Sequence, residues 1–319
     1  MINKKIIAVV TLLMLMFVFV GCDEIENRDT SNNNLEEESP NDSIIDEEEN
    51  DNDEEEIMLN FDLMVQENEE LIEIIEYVDE NISDVSKENA SFMIEELEAL
   101  QKNELTLLEN EFYTDMAIQS NLMEVFQETL DIEALNESED ENIQPILEAL
   151  HQKGFKVEIA EGVFYPMMDY NFYNPYSDYV TEDIKNYIEI MVIESNQVPA
   201  KDAALMIEWE EVINRALEME AFINQYKDSN RIQEVEALYN RYVYFLLFGL
   251  DNTPLFDYSN NDMIEEVQQV YHTAIETQES SALLDLLEDY LEVIEQNNNQ
   301  LTDEVVAYRN DVYENMTQR

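Results

Sequence analysis

The residues of this sequence best suited to recognising a ligand lie in one aromatic-rich stretch. Seven aromatic side chains fall between residues 164 and 179, together with Pro166 and Pro175. Tyrosine combines a flat apolar ring with a hydroxyl, so it stacks on sugars or anchors a protein partner at low entropic cost. The candidate binding residues are Tyr165, Tyr170, Tyr173, Tyr176 and Tyr179. The alternative is that these rings pack an irregular segment onto a helical core, with their hydroxyls at the surface.

Histidine and cysteine are too scarce for a familiar metal centre. The only histidines are His151 and His272, and Cys22 is the only cysteine. Glu148 and His151 have the E-x-x-H spacing of ferritin-like carboxylate bundles, but those sites need the motif twice. The residue three before His272 is Gln269. We therefore predict no metal site and no cofactor, and we interpret His151 as a residue near a helix C-terminus.

Carboxylates are too common to mark a catalytic pair. The chain has 76 Asp and Glu residues, so any helical surface presents carboxylates at the 5 to 9 Å spacing of glycoside hydrolases. An envelope hydrolase that acts on wall polysaccharide is the alternative function. Its candidate carboxylates are Asp169, Asp178 and Glu208, because neighbouring aromatic rings can raise a carboxyl pKa. No residue is assigned as catalytic.

The scarcity of glycine excludes several enzyme classes. Only four glycines occur in 319 residues. Phosphate-binding loops, dinucleotide fingerprints and nucleophile elbows each need two or more closely spaced glycines, where the backbone approaches a ligand or turns sharply. A two-lobed α/β solute-binding protein is disfavoured for the same reason.

The N-terminal residues have the features of a secretion signal that ends at a cysteine. Lys4 and Lys5 precede an apolar run from residue 6 to residue 20, which is shorter than the roughly 20 residues that span a bilayer. The sequence Phe19-Val20-Gly21-Cys22 follows. It resembles the lipobox of bacterial lipoproteins, although leucine is commoner than phenylalanine at its first position. The resemblance covers residues 1–22 only.

This resemblance implies a processed and lipid-anchored chain. Residues 1–21 would be removed as a signal peptide, and Cys22 would carry a covalent diacylglycerol. Two acyl chains, at about 0.8 kcal/mol per buried methylene, hold a protein stably on a membrane. We therefore expect a protein held by its lipid anchor on the extracytoplasmic face of the cell membrane. The alternative is an uncleaved helix with a free cysteine.

The charge of the chain argues against nucleic acid as a partner. The formal net charge is −61, and no segment has the cationic stripe that phosphate binding requires. Residues 23–56 include 17 acidic side chains and one basic residue, Arg28. Such a segment buries too little apolar surface to fold, so residues 22–57 are predicted to be a disordered acidic linker. Its expected role is that of a spacer; weak binding of divalent cations is the alternative.

From residue 58 onward, helical periodicity dominates. Apolar residues recur at helical spacing over 71–82, 93–116 and most of 180–316, which predicts eight to ten helices. A further helical stretch is predicted from Leu122 to Leu135. Phe155, Val157 and Ile159 alternate with other residues before Glu161-Gly162, which predicts a β-hairpin near 155–165. The fold class is therefore all-α, a multi-helix bundle or irregular helical array with one small hairpin.

The predicted domains are a helical hairpin region, 58–140, and a helical domain, 141–319, unless 58–319 is a single domain. The predicted function is a non-enzymatic binding or structural role at the cell envelope. The partner is an unidentified protein or wall polymer, and the membrane is contacted through the lipid anchor.

Overall fold

The computed structural model describes residues 45–318, with side chains from residue 53 onward. The predicted signal peptide, Cys22 and residues 22–44 of the predicted linker lie outside the described residues. The chain divides into two units, 1–45 and 46–319, and every core residue described belongs to the second unit. That unit therefore has a core of its own. The predicted boundary between 58–140 and 141–319 lies within it.

The all-α prediction is confirmed for the described residues. The helices there are α1 Ile45–Glu67, α2 Leu71–Asn81, α3 Lys87–Thr114, α4 Met116–Thr129, α5 Ile132–Asn136, α6 Gln144–His151, α7 Glu182–Asn196, α8 Trp209–Gln225, α9 Ile232–Phe248, α10 Glu265–Thr277, α11 Ala282–Gln296 and α12 Asp303–Thr317. Two short 3-10 helices span Ile82–Asp84 and Tyr170–Tyr176. None of the helices in 45–318 is long and apolar enough to cross a membrane.

The predicted hairpin is present, with strands β1 Phe155–Ala160 and β2 Val163–Met168. Ala160 pairs with Val163, so the turn consists of Glu161 and Gly162. Both turn residues have positive φ, 49° and 77°, as a type I′ turn requires. Two further antiparallel pairs were not predicted because each strand has only two residues: β3 Ala200–Lys201 with β4 Ala204–Leu205, and β5 Gly249–Leu250 with β6 Thr253–Pro254.

Helix α9 lies at the centre of the body. Tyr242, Val243, Leu246 and Leu247 on this helix have no exposed surface. It packs against α8 on one side and α12 on another, and α10 and α11 pack against α8. Near the other end of the chain, α3 runs beside β2 and contacts α2 and α4. The hairpin therefore lies between helices.

The described part of the chain has more helices than the eight to ten predicted. The stretch from Leu122 to Leu135 was predicted as one helix, but Leu130 adopts a left-handed conformation with φ 54° and ends α4. Asp131 then begins α5, because its carboxylate accepts hydrogen bonds from two backbone N–H groups of the new helix. Met116 was predicted to lie on the apolar face of a longer α3. It begins α4 instead and is exposed.

The structured body begins earlier in the chain than the predicted boundary at residue 58. Residues 53–57 belong to α1, and the Glu54 carboxylate docks at the start of α3. It accepts hydrogen bonds from Ser86 N at 2.7 Å, Ser86 Oγ at 2.5 Å and Asn89 Nδ2 at 2.6 Å. Further along α1, Phe61 is fully buried. Composition alone indicated a linker, because acidic side chains outnumber apolar ones here.

Low pH should weaken the contact between Glu54 on α1 and the start of α3. The hydrogen bonds from the Ser86 side chain and backbone hold the pKa of Glu54 below its ordinary value of 4.5. A carboxyl with a depressed folded pKa stabilises the fold fully above its unfolded pKa and loses that stabilisation as the pH falls through the folded value. We expect Glu54→Gln to cost about 1 kcal/mol or less at neutral pH, because solvent screens a partly exposed group.

Urea unfolding of the wild type and Glu54→Gln as a function of pH measures this difference, which should shrink as the pH falls below 4.5 and vanish below the folded-state pKa of Glu54. Glu55→Gln is the matched control, because Glu55 is the exposed neighbour on the same helix. Equal effects of the two substitutions on stability at neutral pH would contradict a stabilising contact between Glu54 and the start of α3.

Candidate functional site

The aromatic stretch forms a 3-10 helix, Tyr170–Tyr176, between β2 and α7. Asp169 starts it, since one carboxylate oxygen accepts hydrogen bonds from the backbone and side-chain nitrogens of Asn171. A 3-10 helix has three residues per turn, so side chains three apart lie on one face. Tyr170, Tyr173 and Tyr176 therefore share a face, and all three are buried.

Each of these three hydroxyls donates a hydrogen bond to a side chain on α2 or α3. Tyr170 bonds Glu98 Oε1 at 2.5 Å, Tyr173 bonds Gln101 Oε1, and Tyr176 bonds Asp79 Oδ1 at 2.5 Å. The three side chains thus correspond to the packing alternative, except that the hydroxyls of Tyr170 and Tyr173 are buried, whereas that of Tyr176 is partly buried beside the exposed Asp79. Of the other candidates, Tyr165 is half-buried, and Tyr179 is 40% exposed.

Gly154 allows this segment to approach α3 closely. It lies just beyond α6 with φ 78°. A Cβ atom at this position would come within 2.5 Å of Gln101 Nε2 and 2.9 Å of the Phe172 ring. The position therefore needs glycine for both its backbone conformation and the space around it.

The Glu98 carboxylate is the centre of the polar core beneath the segment. Glu98 is 2% exposed. Its Oε1 accepts hydrogen bonds from Tyr170 and, at 2.7 Å, from the Tyr187 hydroxyl. Arg231 Nη2 lies 2.6 Å from Oε2, and Lys102 Nζ lies 3.0 Å from Oε1. Two cations and two hydroxyls therefore satisfy one buried carboxylate.

Two groups in this cluster, Tyr170 and Arg231, have raised pKa values. Burial, followed by the charge of Glu98, raises the pKa of Tyr170 far above its ordinary value, so the hydroxyl stays protonated and donates to Glu98. Burial disfavours the charged form of Arg231, but Glu98, Tyr187 and Glu234 together outweigh this and raise the Arg231 pKa. The guanidinium carbon of Arg231 also lies 5.0 Å from the centre of the Tyr187 ring.

A second buried carboxylate, Glu194 near the end of α7, joins α7, α8 and α9. Its Oε2 lies 2.6 Å from Arg241 Nη2, while its Oε1 accepts from the Tyr242 hydroxyl and from Arg215 Nη1 at 3.3 Å. Glu194 and Arg215 are both buried, whereas the Arg241 side chain is 46% exposed. Arg215 also pairs with Glu211 at 2.7 Å. Protein donors therefore contact both oxygens of the Glu194 carboxylate.

A cavity of about 430 Å³ lies above this second network, within the size range of small-molecule sites. It is bounded by the end of β2, the end of α7, residues 198–200 and α9. Most of its lining is apolar: Met167, Met168, Tyr170, Met191, Val198, Pro199, Ala200, Leu238 and Phe245. The polar lining consists of Glu194, Ser195 and Arg241. One predicted binding residue, Tyr170, thus borders a cavity as well as the core.

The half-buried Tyr165 lies on the hairpin face that borders this cavity. It is two residues from Met167 on β2, so both side chains point to the same face. Burial, followed by Glu158 and Asp202, raises the Tyr165 pKa, and the hydroxyl therefore remains protonated. A smaller groove of about 250 Å³ lies between α8 and α10, and both of its carboxylates, Glu210 and Glu266, are exposed.

The carboxylates considered for hydrolysis do not border the cavity. Asp169 caps the 3-10 helix and lies 3.7 Å from Lys156, whereas Asp178 and Glu208 are exposed. Within the described residues, no group of three or more His, Cys, Asp or Glu side chains is arranged to hold a metal ion.

Sequence reasoning did not single out Glu98 and Glu194, because they are two among 76 acidic residues. One sequence signal of the 3-10 helix was present. The three-residue spacing of Tyr170, Tyr173 and Tyr176 is the period of a 3-10 helix, although the stretch has no α-helical period.

Removing the charge of Glu98 should destabilise the protein severely. In Glu98→Gln, Arg231 loses its most buried carboxylate partner and keeps only the more exposed Glu95 and Glu234. Breaking a buried ion pair from one side costs about 3 to 5 kcal/mol. Urea unfolding measures the loss. Glu109→Gln is the matched control on the exposed side of the same helix, and we expect it to change stability by less than about 0.5 kcal/mol. Similar values for the two variants would show that Glu98 has no special role.

The geometry favours binding through an apolar cavity with one accessible guanidinium, Arg241, at its polar side. No protein-family model, curated protein or solved structure matches this chain.

Proposed function

We propose that this protein is a lipid-anchored binding protein on the extracytoplasmic face of a bacterial membrane, with no catalytic activity of its own. The observation that carries the anchor is the sequence Phe19-Val20-Gly21-Cys22 after a basic start and a short apolar run. That combination resembles a lipobox, because charge, length and cysteine position occur together. In this proposal the acidic linker holds the body away from the membrane surface.

The hydrogen bonds that the buried carboxylates accept support a binding role rather than catalysis. A general base needs a free lone pair within hydrogen-bond reach of its substrate. Glu98 and Glu194 instead accept from arginine and tyrosine donors on several elements. Glu220 accepts from the backbone N–H of Leu283 at the start of α11. Each of these three carboxylates is hydrogen-bonded within the fold, which favours a role in holding the structure rigid.

Lipidation of Cys22 is the direct test of the anchor. In bacteria that make lipoproteins and are fed radioactive palmitate, we expect the wild-type chain to be labelled and to fractionate with membranes. Cys22→Ala should be unlabelled, since no other thiol exists in the chain. The matched control is Phe19→Leu, which brings the motif closer to the commoner pattern and should keep the label. Label that survives in Cys22→Ala, or is absent from the wild type, contradicts the proposal.

We assign contact with a protein or wall-polymer partner to the two candidate tyrosines whose side chains are partly exposed. Tyr179 is 40% exposed and Tyr165 is half-buried, so both can present a ring to a partner. We expect Tyr165→Ser/Tyr179→Ser to lower co-sedimentation with purified cell walls while the melting temperature changes little. Tyr258→Ser, which removes a 73% exposed tyrosine elsewhere, is the control. Co-sedimentation that is equal in the two variants, or absent in the wild type, argues against a wall-polymer partner.

A further inference from the structure

The cavity between β2, α7 and α9 has walls suited to an aliphatic group. Met167 and Met191 lie on its sides together with Leu238 and Phe245. Methionine is unbranched and polarizable, so it adapts its shape to different apolar ligands. The cavity volume of about 430 Å³ is large enough for a small organic molecule.

The charged groups at this cavity favour an anion over a cation. Both oxygens of Glu194 are taken by Arg241, Arg215 and Tyr242, so this carboxylate has little capacity left for a ligand cation. Arg241, in contrast to Glu194, has hydrogen-bonding capacity left for a ligand. A guanidinium has five N–H donors, and within the described residues Arg241 uses one of them, toward Glu194. Its side chain is 46% exposed, which leaves donors accessible from the cavity.

Two further cations lie beside the same walls. Lys156 is directly opposite Met167 across the hairpin, so the two side chains share a face. Lys201 follows Ala200, which lines the cavity. Lys156 lies 3.7 Å from Asp169 and Lys201 lies 2.8 Å from Glu158. Each of these three cations is paired with one carboxylate, so the surroundings of the cavity are close to neutral in a chain with 15 basic and 76 acidic side chains.

We propose that this cavity binds a small amphiphile with an apolar chain and a terminal carboxylate. The chain lies among Met167, Met191, Leu238 and Phe245, and the carboxylate accepts hydrogen bonds from Arg241. This inference rests on the proposed function, because it names the class of ligand that the binding protein holds. It gives the exposed guanidinium a role in recognition, since a charge-assisted contact with a carboxylate is stronger and more directional than a neutral one.

The test uses decanoate as the probe, on a chain that begins at Asp23 and so has no anchor. Residues 46–319 have their own core, so this chain contains the whole folded unit. Methionine methyl groups labelled with carbon-13 report binding by NMR. Measurements in about 0.5 M NaCl screen the repulsion between the acidic surface and the anion. We expect decanoate to shift the methyl signals of Met167, Met168 and Met191, while the signal of the buried Met219, which does not line the cavity, stays unchanged.

Decyltrimethylammonium, with the same chain and a positive headgroup, separates a built site from charge attraction. A protein with net charge −61 attracts this cation everywhere, so preference for decanoate at the three methionines supports the proposal. Shifts of those signals that are as large with the cation overturn it. Decanoate shifts that are absent, or that include Met219 equally, overturn it as well.

Two variants locate the contacts. Arg241→Gln should lower decanoate affinity roughly tenfold and leave the affinity for decanol within about twofold, because only the anionic contact is lost. Arg309→Gln is the matched control, since Arg309 also lies over an aromatic ring but does not line the cavity. Leu238→Trp should abolish binding of both probes by filling the cavity. Equal decanoate affinities for the two arginine variants overturn the proposed contact.

The outcome is independent of the anchor. The chain in this assay lacks Cys22, so failed lipidation leaves the ligand result intact. Conversely, lipidation of Cys22 with no decanoate binding keeps the anchored protein and removes this ligand class.

Discussion

The organisation of this fold depends on the need to compensate buried carboxylates in a chain that has few cations. The net charge is −61, yet four glutamates are buried: Glu98, Glu158, Glu194 and Glu220. Burying an uncompensated carboxylate costs many kcal/mol, so each such group needs cations or hydrogen-bond donors in a fixed geometry. Glu98 alone contacts two of the 15 basic side chains, Lys102 and Arg231. The placement of the scarce cations therefore helps to determine which elements can pack together.

These contacts join parts of the chain that are distant in sequence. Glu98 on α3 holds the aromatic 3-10 helix through Tyr170, α7 through Tyr187 and the start of α9 through Arg231. Glu194 joins α7 to α8 and α9. The cavity lies between the elements that these two networks fix, so its shape follows from the same constraint. Tyr170 belongs to both features, since it donates to Glu98 and lines the cavity.

Much of the fold could be predicted from the sequence, because periodicity reports which face of an element is buried. The helices from α2 onward follow apolar residues at helical spacing, and the β1–β2 hairpin follows alternation with Glu161-Gly162 at its turn. The break at Leu130 could not be predicted, since a left-handed leucine has no signature in composition. The predicted start of the body at residue 58 was also too late in the chain, because α1 already includes residues 53–57. The docking of Glu54 onto α3 depends on a tertiary contact that a count of acidic residues does not reveal.

The candidate site was less predictable than the fold. The density of tyrosine drew attention to residues 164–179, but which of these side chains are buried depends on which face of the segment meets α3. Glu98 and Glu194 differ from other glutamates only in their surroundings, which the sequence does not display. The exposed state of Arg241 beside a buried carboxylate is likewise a property of packing.

A double-mutant cycle between Glu98 and Arg231 tests most directly whether a compensated buried carboxylate holds this structure together. The free energy of unfolding is measured for the wild type, Glu98→Gln, Arg231→Gln and the double variant. If the pair is coupled as its 2.6 Å contact indicates, the double variant should be more stable than the sum of the single effects by at least about 2 kcal/mol. Single effects that add to within about 0.5 kcal/mol would contradict the central role of this interaction.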